Sequence, residues 1–242
     1  AKIIEIIERK NKTFVGTLKI QNNTNFVIVS KRKANVDFYI KNNNSNARNG
    51  DRVVIEFIEW KETKSPQAKI INVLGKPGEN ETEIHTILSE YGLPYYFDDE
   101  IEIELDKVEE KISKVEEEKR EDFRKKLTFT IDPSDAKDFD DAISFEIKKE
   151  GYEVGIHIAD VSYYVKPNTK LDTEAYNRGT SVYLVDRVVP MLPEKLSNNV
   201  CSLRPNENKL TFSAVFILDI NGKVLEQKFC RTIINSDYRL SY

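Results

Sequence analysis

Hydrophobic and polar positions alternate with a period of two through much of residues 1–75. The run Arg52-Val53-Val54-Ile55-Glu56-Phe57-Ile58-Glu59 is one example. This period predicts half-buried strands. Six candidates result: Ile3–Glu8, Phe14–Ile20, Asn25–Ser30, Val36–Ile40, Asp51–Ile58 and Ala68–Leu74. Asn22-Asn23, Asn42-Asn43-Asn44 and Asn49-Gly50 supply turns between them. Short strands at this spacing predict a small closed barrel.

The pattern changes after Gly75-Lys76-Pro77-Gly78, a turn-rich boundary. Asn80 is a candidate helix cap with Glu83 as its reciprocal partner, and the helix is expected to run to Glu90 with Ile84, Ile87 and Leu88 inward. Gly92-Leu93-Pro94 stops it. A second helix is expected over about Glu100–Lys119, because Ile101, Leu105, Val108, Ile112 and Val115 recur at spacings of three and four. Neither helix is assigned any chemistry.

From Leu127 onward the pattern is mixed. Strands are expected at Leu127–Ile131, Asp141–Ile147 and Tyr152–Ala159, the last two joined by a hairpin through Lys148-Lys149-Glu150-Gly151. A helix is expected over Lys170–Arg178, starting from Asn168 or Thr169. Thr180–Val189 is rich in β-branched residues. A last hairpin, Lys209–Ile220 with Lys223–Asn235, turns at Asn221-Gly222.

Composition changes this picture in three ways. No run of about 18 apolar residues and no signal-peptide pattern occur, so the chain reads as soluble, cytoplasmic and without a membrane partner. Cys201 and Cys230 have no metal-like or redox-like spacing and are expected as buried free thiols; with only His85 and His157, a histidine-rich zinc site is disfavoured. The net charge of −4 hides an asymmetry: +7 over residues 1–75, −8 over 76–127 and −3 over 128–242. The N-terminal third is therefore the part whose field attracts a polyanion. Its aromatics fall among basic residues: Phe14 beside Lys12, Phe26 and Lys31, Phe38 and Tyr39 near Lys33 and Lys41. Rings that stack on bases beside cations that track phosphates suit single-stranded nucleic acid, although part of the rings must fill the barrel instead.

The chemistry concentrates in Leu127-Thr-Phe-Thr-Ile-Asp-Pro-Ser-Asp-Ala-Lys-Asp-Phe-Asp-Asp141. Asp132-Pro133 ends a strand, and Asp135, Asp138, Asp140 and Asp141 follow with only Lys137 to offset them. An acidic stretch is most often a solvated turn. Here it is bracketed by strands, a common place for sites, and Phe139 is expected to pin it into a core. A hard divalent ion with oxygen ligands, Mg²⁺ or Mn²⁺, removes the mutual repulsion. An EF-hand calcium loop is a poor match, since Ser134, Ala136 and Lys137 occupy its third, fifth and sixth places. His157 reads as a satisfied core histidine, Asp160 as a residue that orients a neighbour or supports the site's ligands from behind, and Asp135 as the solvated member of the cluster.

The segment around residues 2–75 resembles cold-shock-like OB domains through Phe14-Val15-Gly16-Thr17-Leu18, Asp37-Phe38-Tyr39-Ile40 and Asn49-Gly50-Asp51-Arg52-Val53. That resemblance implies RNA binding without strict sequence reading. Residues 76–242 resemble the RNB exoribonucleases, closer to the ribonuclease R branch than to the ribonuclease II branch. The match lies in Thr130–Ala142, Val154-Gly155-Ile156-His157-Ile158-Ala159-Asp160-Val161, Arg178-Gly179-Thr180-Ser181-Val182-Tyr183, and Val188–Ser197 with Cys201-Ser202-Leu203.

The resemblance implies processive 3′→5′ hydrolysis of single-stranded RNA to nucleoside 5′-monophosphates with Mg²⁺, Mn²⁺ being a possible substitute, no dinucleotide cofactor, and a monomeric parent protein. Carried over by position, Asp132, Asp138 and Asp141 ligate metal, Asp140 acts in the chemical step, and Tyr183 packs against nucleotides. Phe14, Phe26 and Phe38 are the expected RNA-facing rings of the barrel. The expected fold class is α+β and multidomain: an all-β OB barrel over 1–75, a helical connector over 76–127, and the N-terminal part of a mixed α/β RNB domain over 128–242. The start without Met and the stop at Tyr242 are expected of a piece of a longer protein, one with little or no nuclease activity by itself. The alternative is a non-catalytic RNA-binding protein that keeps the barrel and a degenerate nuclease domain.

Overall fold

The computed structural model describes residues 4, 7, 11–22, 24–29, 36–43, 45–60 and 65–242. Contacts divide the chain into two compact units, Ala1–Tyr96 and Phe97–Tyr242. The expected connector is thereby split, its first helix belonging to the first unit. Among the described residues no helix is long and apolar enough to cross a membrane.

The first unit is a closed barrel of β1 (Thr13–Gln21), β2 (Thr24–Val29), β3 (Phe38–Ile40), β4 (Arg52–Glu59) and β5 (Gln67–Gly75), in the order β1-β2-β3-β5-β4. The expected strand over Ile3–Glu8 falls mostly outside the described residues. Alternate residues of each strand turn inward and build a core of Leu18, Val27, Phe38, Ile40, Val53 and Ile55. Strand β1 pairs with β2 on one side and β4 on the other. At Gly16, where it does both, a Cβ atom would lie 2.6 Å from the Ile28 carbonyl oxygen, so only glycine lets the barrel close. The Asn49-Gly50 turn docks on β1: Asn49 Oδ1 accepts from the Ile20 N–H at 2.9 Å, and the Gly50 N–H donates to the Leu18 carbonyl at 2.8 Å.

Helix α1 (Asn80–Tyr91) packs on the barrel through Thr82, Thr86 and Leu88. Ile87, expected inward, is 51% exposed, because the Thr82 hydroxyl bonds the Leu74 carbonyl and turns the threonine side of the helix to the barrel. Asn80 is not the cap. Glu79 holds that position without a side-chain bond, and Glu83 reaches back instead to the Gly78 N–H at 2.8 Å. Gly92, at φ 69°, ends the helix in the left-handed conformation that glycine favours.

The expected second helix is broken. It runs as α2 (Asp99–Asp106) and resumes only as the single turn α3 (Lys114–Glu117). Ser113 sets the restart: its side chain accepts from the Glu116 N–H and caps the new turn. Ile101 and Leu105 are buried as expected, but Val115 is exposed.

The second unit is a mixed sheet. Its strands are β6 (Glu121–Asp122), β7 (Thr128–Ile131), β8 (Asp141–Lys148), β9 (Gly151–Ala159), β12 (Asn208–Asp219), β13 (Val224–Asn235) and β14 (Tyr238–Leu240), in the order β14-β7-β8-β9-β12-β13-β6. Helices α4 (Val161–Tyr164) and α5 (Lys170–Arg178), a two-residue pair β10 (Val182–Tyr183) and β11 (Val188–Val189), and a π-helical segment Lys195–Val200 complete it. Helix α5 is capped by Thr169, whose hydroxyl accepts from the Asp172 N–H. Of the β-branched stretch Thr180–Val189 only β10 and β11 form strand.

One face of the sheet is buried and carries small and polar groups: Ala142, Ser144, Gly155, His157, Ala159, Thr211, Ser213 and Thr232. His157 Nδ1 lies 2.7 Å from Ser213 Oγ and its Nε2 lies 2.9 Å from Ser144 Oγ. The opposite face keeps Ile156, Ile158, Phe212 and Phe229 exposed.

Candidate active site

Strand β7 ends at Ile131, and the Asp132 N–H donates to the Leu240 carbonyl of β14 at 3.1 Å. Pro133 then turns the chain, with its carbonyl accepting from the Ala136 N–H. The next limb is fastened at Phe139, which is 5% exposed within the main apolar cluster of this unit. Its N–H donates to Ser202 Oγ at 3.1 Å, and its carbonyl accepts from the Leu203 N–H at 2.9 Å. The Ser202 hydroxyl itself donates to the Lys137 carbonyl at 2.8 Å. The Asp140 carbonyl accepts from the Ala159 N–H, and Asp141 begins β8. Phe139 is thus turned inward between a half-buried Asp138 and an exposed Asp140.

Although Asp140 keeps an exposed side, desolvation, followed by the charges of Asp138, Asp141 and Asp132, raises its carboxyl above the ordinary value. Asp140 thus feels the other three carboxylates, and none of the four forms an ion pair with a lysine or arginine among the described residues. Asp132 Oδ2 is buried with no hydrogen-bond partner, the kind of orphan oxygen that a cation satisfies. Hard carboxylate donors suit Mg²⁺ or Mn²⁺. Among the described residues, however, no three His, Cys, Asp or Glu side chains already converge closely enough to cage a metal ion. Mg²⁺ is commonly held by one or two carboxylates together with water and substrate phosphate oxygens, so the donor set fits that mode rather than an all-protein cage.

Tyr183, on β10, is 67% exposed, and its hydroxyl donates to Asp138 Oδ2 at 3.1 Å. Partial desolvation and the Asp138 charge push its phenol upward. Asp135 is exposed. His157 is fully buried, and burial, with a smaller effect of Lys126, lowers its pKa to about 4. Burial alone would raise the Asp160 carboxyl, but bonds from Ser162 and Arg120 outweigh it and hold the group below its usual value. The Arg120–Asp160 pair is 2.7 Å long, and Arg120 also reaches Glu116 and the Thr211 carbonyl. Cys201 is buried, its thiol pushed up by burial to about 12, while Cys230 is only half-buried.

In the barrel the expected rings separate. Phe38 is 3% exposed in the core with its centroid 4.8 Å from that of Phe14, which also packs against that core. This takes Phe38, and Phe14 with it, out of the RNA-facing set: residues 38 and 40 of β3 point inward, so the outward residue is Tyr39. Tyr39 pairs across strands with the half-buried Phe26, and Phe26 in turn with exposed Lys19. Lys19, Phe26 and Tyr39 therefore form the outward row, which the alternation itself could have indicated. Lys31 and Lys33 lie outside the described residues. Sequence reasoning also missed Ser202 and Arg239 on the acidic loop and Arg120 at Asp160; these contacts span long sequence separations, for which the sequence carries no local signal.

Residues 120–242 match the RNB domain family, and residues 26–98 match a cold shock domain family. The chain belongs to the RNB domain family. It is 38% identical over its whole length to ribonuclease R of Aquifex aeolicus and 37% identical to ribonuclease R of Thermotoga maritima, and spans 35% of each of those proteins. Its fold superimposes on Mycoplasma genitalium RNase R in complex with double-stranded RNA with a TM-score of 0.89 at 25% identity, over all of this chain and 43% of that one.

Proposed function

We propose that this chain is the barrel and the leading part of the catalytic domain of an exoribonuclease. The parent protein hydrolyses single-stranded RNA processively from the 3′ end and releases nucleoside 5′-monophosphates. The ribonuclease R relatives support the reaction class. The observation that carries it is the fastening of Phe139 within an acidic loop where the Asp140 carboxyl feels the charges of Asp138, Asp141 and Asp132, with an orphan oxygen on Asp132.

In this reading Asp132, Asp138 and Asp141 share Mg²⁺, for which Mn²⁺ substitutes, with water and substrate phosphate oxygens. When bound, such an ion supplies charge stabilisation at the leaving oxygen and an activated water. Asp140 acts in the hydrolytic step from a backbone anchored by Ala159. Tyr183 stacks on the terminal nucleotides while its hydroxyl steadies Asp138. The barrel tracks the RNA through Lys19, Phe26 and Tyr39.

The test is Asp140→Asn in the full-length protein, followed by mononucleotide release and by RNA binding in parallel. Hydrolysis is expected to vanish with RNA affinity within about twofold of wild type, since the change removes chemistry rather than binding. Persistent hydrolysis would overturn the role of Asp140. A wild-type protein that binds RNA and never cuts it would favour the non-catalytic alternative.

A further inference from the structure

Arg239 lies on β14, in parallel register with Thr130 of β7, just before the acidic loop. Its Nη2 donates to the carbonyls of Pro133, at 3.0 Å, and Ser134, at 2.6 Å. Its guanidinium carbon is 5.0 Å from the centroid of the Phe139 ring. One side chain therefore touches both limbs of the loop, the incoming limb at 133–134 and the outgoing limb at 139. An arginine beside carboxylates ordinarily forms a bidentate ion pair with one of them. Among the described residues Arg239 forms none: it is committed to carbonyl oxygens and a ring, and the aspartates carry no ion pair.

We propose that Arg239 is a positioning residue that sets the spacing between Asp132 and the Asp138–Asp141 limb for a divalent cation. This rests on the reading of the loop as a cation site. Its planar fork suits the task, since it binds two successive carbonyls and lies over an aromatic face at once, which an ammonium group does not do. The sign of the effect separates this role from simple electrostatics. A positive charge beside a cation site repels the cation, so removing Arg239 would tighten metal binding if charge alone mattered. If Arg239 sets geometry, removing it weakens binding.

The experiment titrates Mn²⁺ into the RNA-free full-length protein, with free Mn²⁺ read by electron paramagnetic resonance, for wild type, Arg239→Ala, Arg239→Lys and Asp138→Asn. Arg239→Ala is expected to raise the Mn²⁺ dissociation constant roughly 10- to 100-fold, the usual effect of losing a group that orients ligands. Arg239→Lys is expected to recover only a minor part of that loss although its charge is intact. Unchanged or tighter binding by Arg239→Ala overturns the proposal. So does full rescue by lysine, and so does a lowered melting temperature with unchanged affinity of the folded chain. If Arg239→Ala does not fold, Arg239→Lys decides: weakened binding supports the proposal and wild-type binding overturns it. Loss of RNA affinity in EDTA with unchanged Mn²⁺ binding would make Arg239 a phosphate contact and also overturns it. Asp138→Asn separates the two readings. If it binds Mn²⁺ like wild type, or if wild type binds none, the cation site itself fails; if it abolishes binding while Arg239→Ala does nothing, only the role of Arg239 fails.

Discussion

Mild acid is expected to destabilise the second unit through one side chain. His157 is fully buried between Ser144 and Ser213, and its pKa falls from 6.5 to about 4 on folding. The unfolded chain therefore binds a proton that the folded chain refuses, and stability rises with pH across this window. The contribution is fully present above pH 6.5 and is lost as pH falls toward 4. Between about pH 7.5 and pH 5 the loss works out at about 2 kcal/mol, out of about 3.4 kcal/mol when complete. Glu146 and Asp122, held down at about 2 by Lys148 and Arg124, lose their stabilisation mainly below this window. Urea unfolding at the two pH values, read by hydrogen exchange of peptides from β9 and β12, scores this unit alone. His157→Asn should flatten the dependence between pH 7.5 and pH 5, whatever it does to stability at neutral pH. A wild-type protein equally stable at both pH values, or an Asn variant with an unchanged slope, would refute the argument.

The other predictions concern groups that hold the site in place. Arg120→Met leaves the buried Asp160 with only the Ser162 hydroxyl and the longer 3.7 Å contact to Arg231, and is expected to cost up to about 3–5 kcal/mol in urea unfolding, with Arg120→Met/Asp160→Asn recovering part of it; a loss under about 1 kcal/mol would contradict this. Ser202→Ala strands the Phe139 N–H and the Lys137 carbonyl and should cost about 1–3 kcal/mol by the same measurement. In the full-length protein it should also slow hydrolysis, and an unaffected rate would show that the loop does not depend on that hydroxyl.

The order of elements was legible in the sequence because local signals set it. Period-two alternation marked the barrel strands, Asn221-Gly222 marked the turn between β12 and β13, and Asn168-Thr169 marked the start of α5, with Thr169 its cap. The four aspartates and the inward Phe139 were likewise readable, since charge crowding and one interrupting ring are local facts. The broken second helix was not, because its apolar spacing continued through Ser113 while that side chain favoured a new cap.

Which face of the sheet is buried was decided only in three dimensions. In β9 a hydropathy rule would bury Ile156 and Ile158, yet Gly155, His157 and Ala159 are the buried residues. His157 is inside because Ser144 and Ser213, from two neighbouring strands, satisfy both ring nitrogens. A Cβ at position 155 would sit 2.4 Å from Ser144 Oγ and 2.7 Å from the His157 ring, so the glycine makes room for that network. The grip of Ser202 and Arg239 on the acidic loop has the same origin. Hydrogen bonds between residues 65 or 105 positions apart depend on where the sheet carries its strands, and a linear pattern holds no record of that.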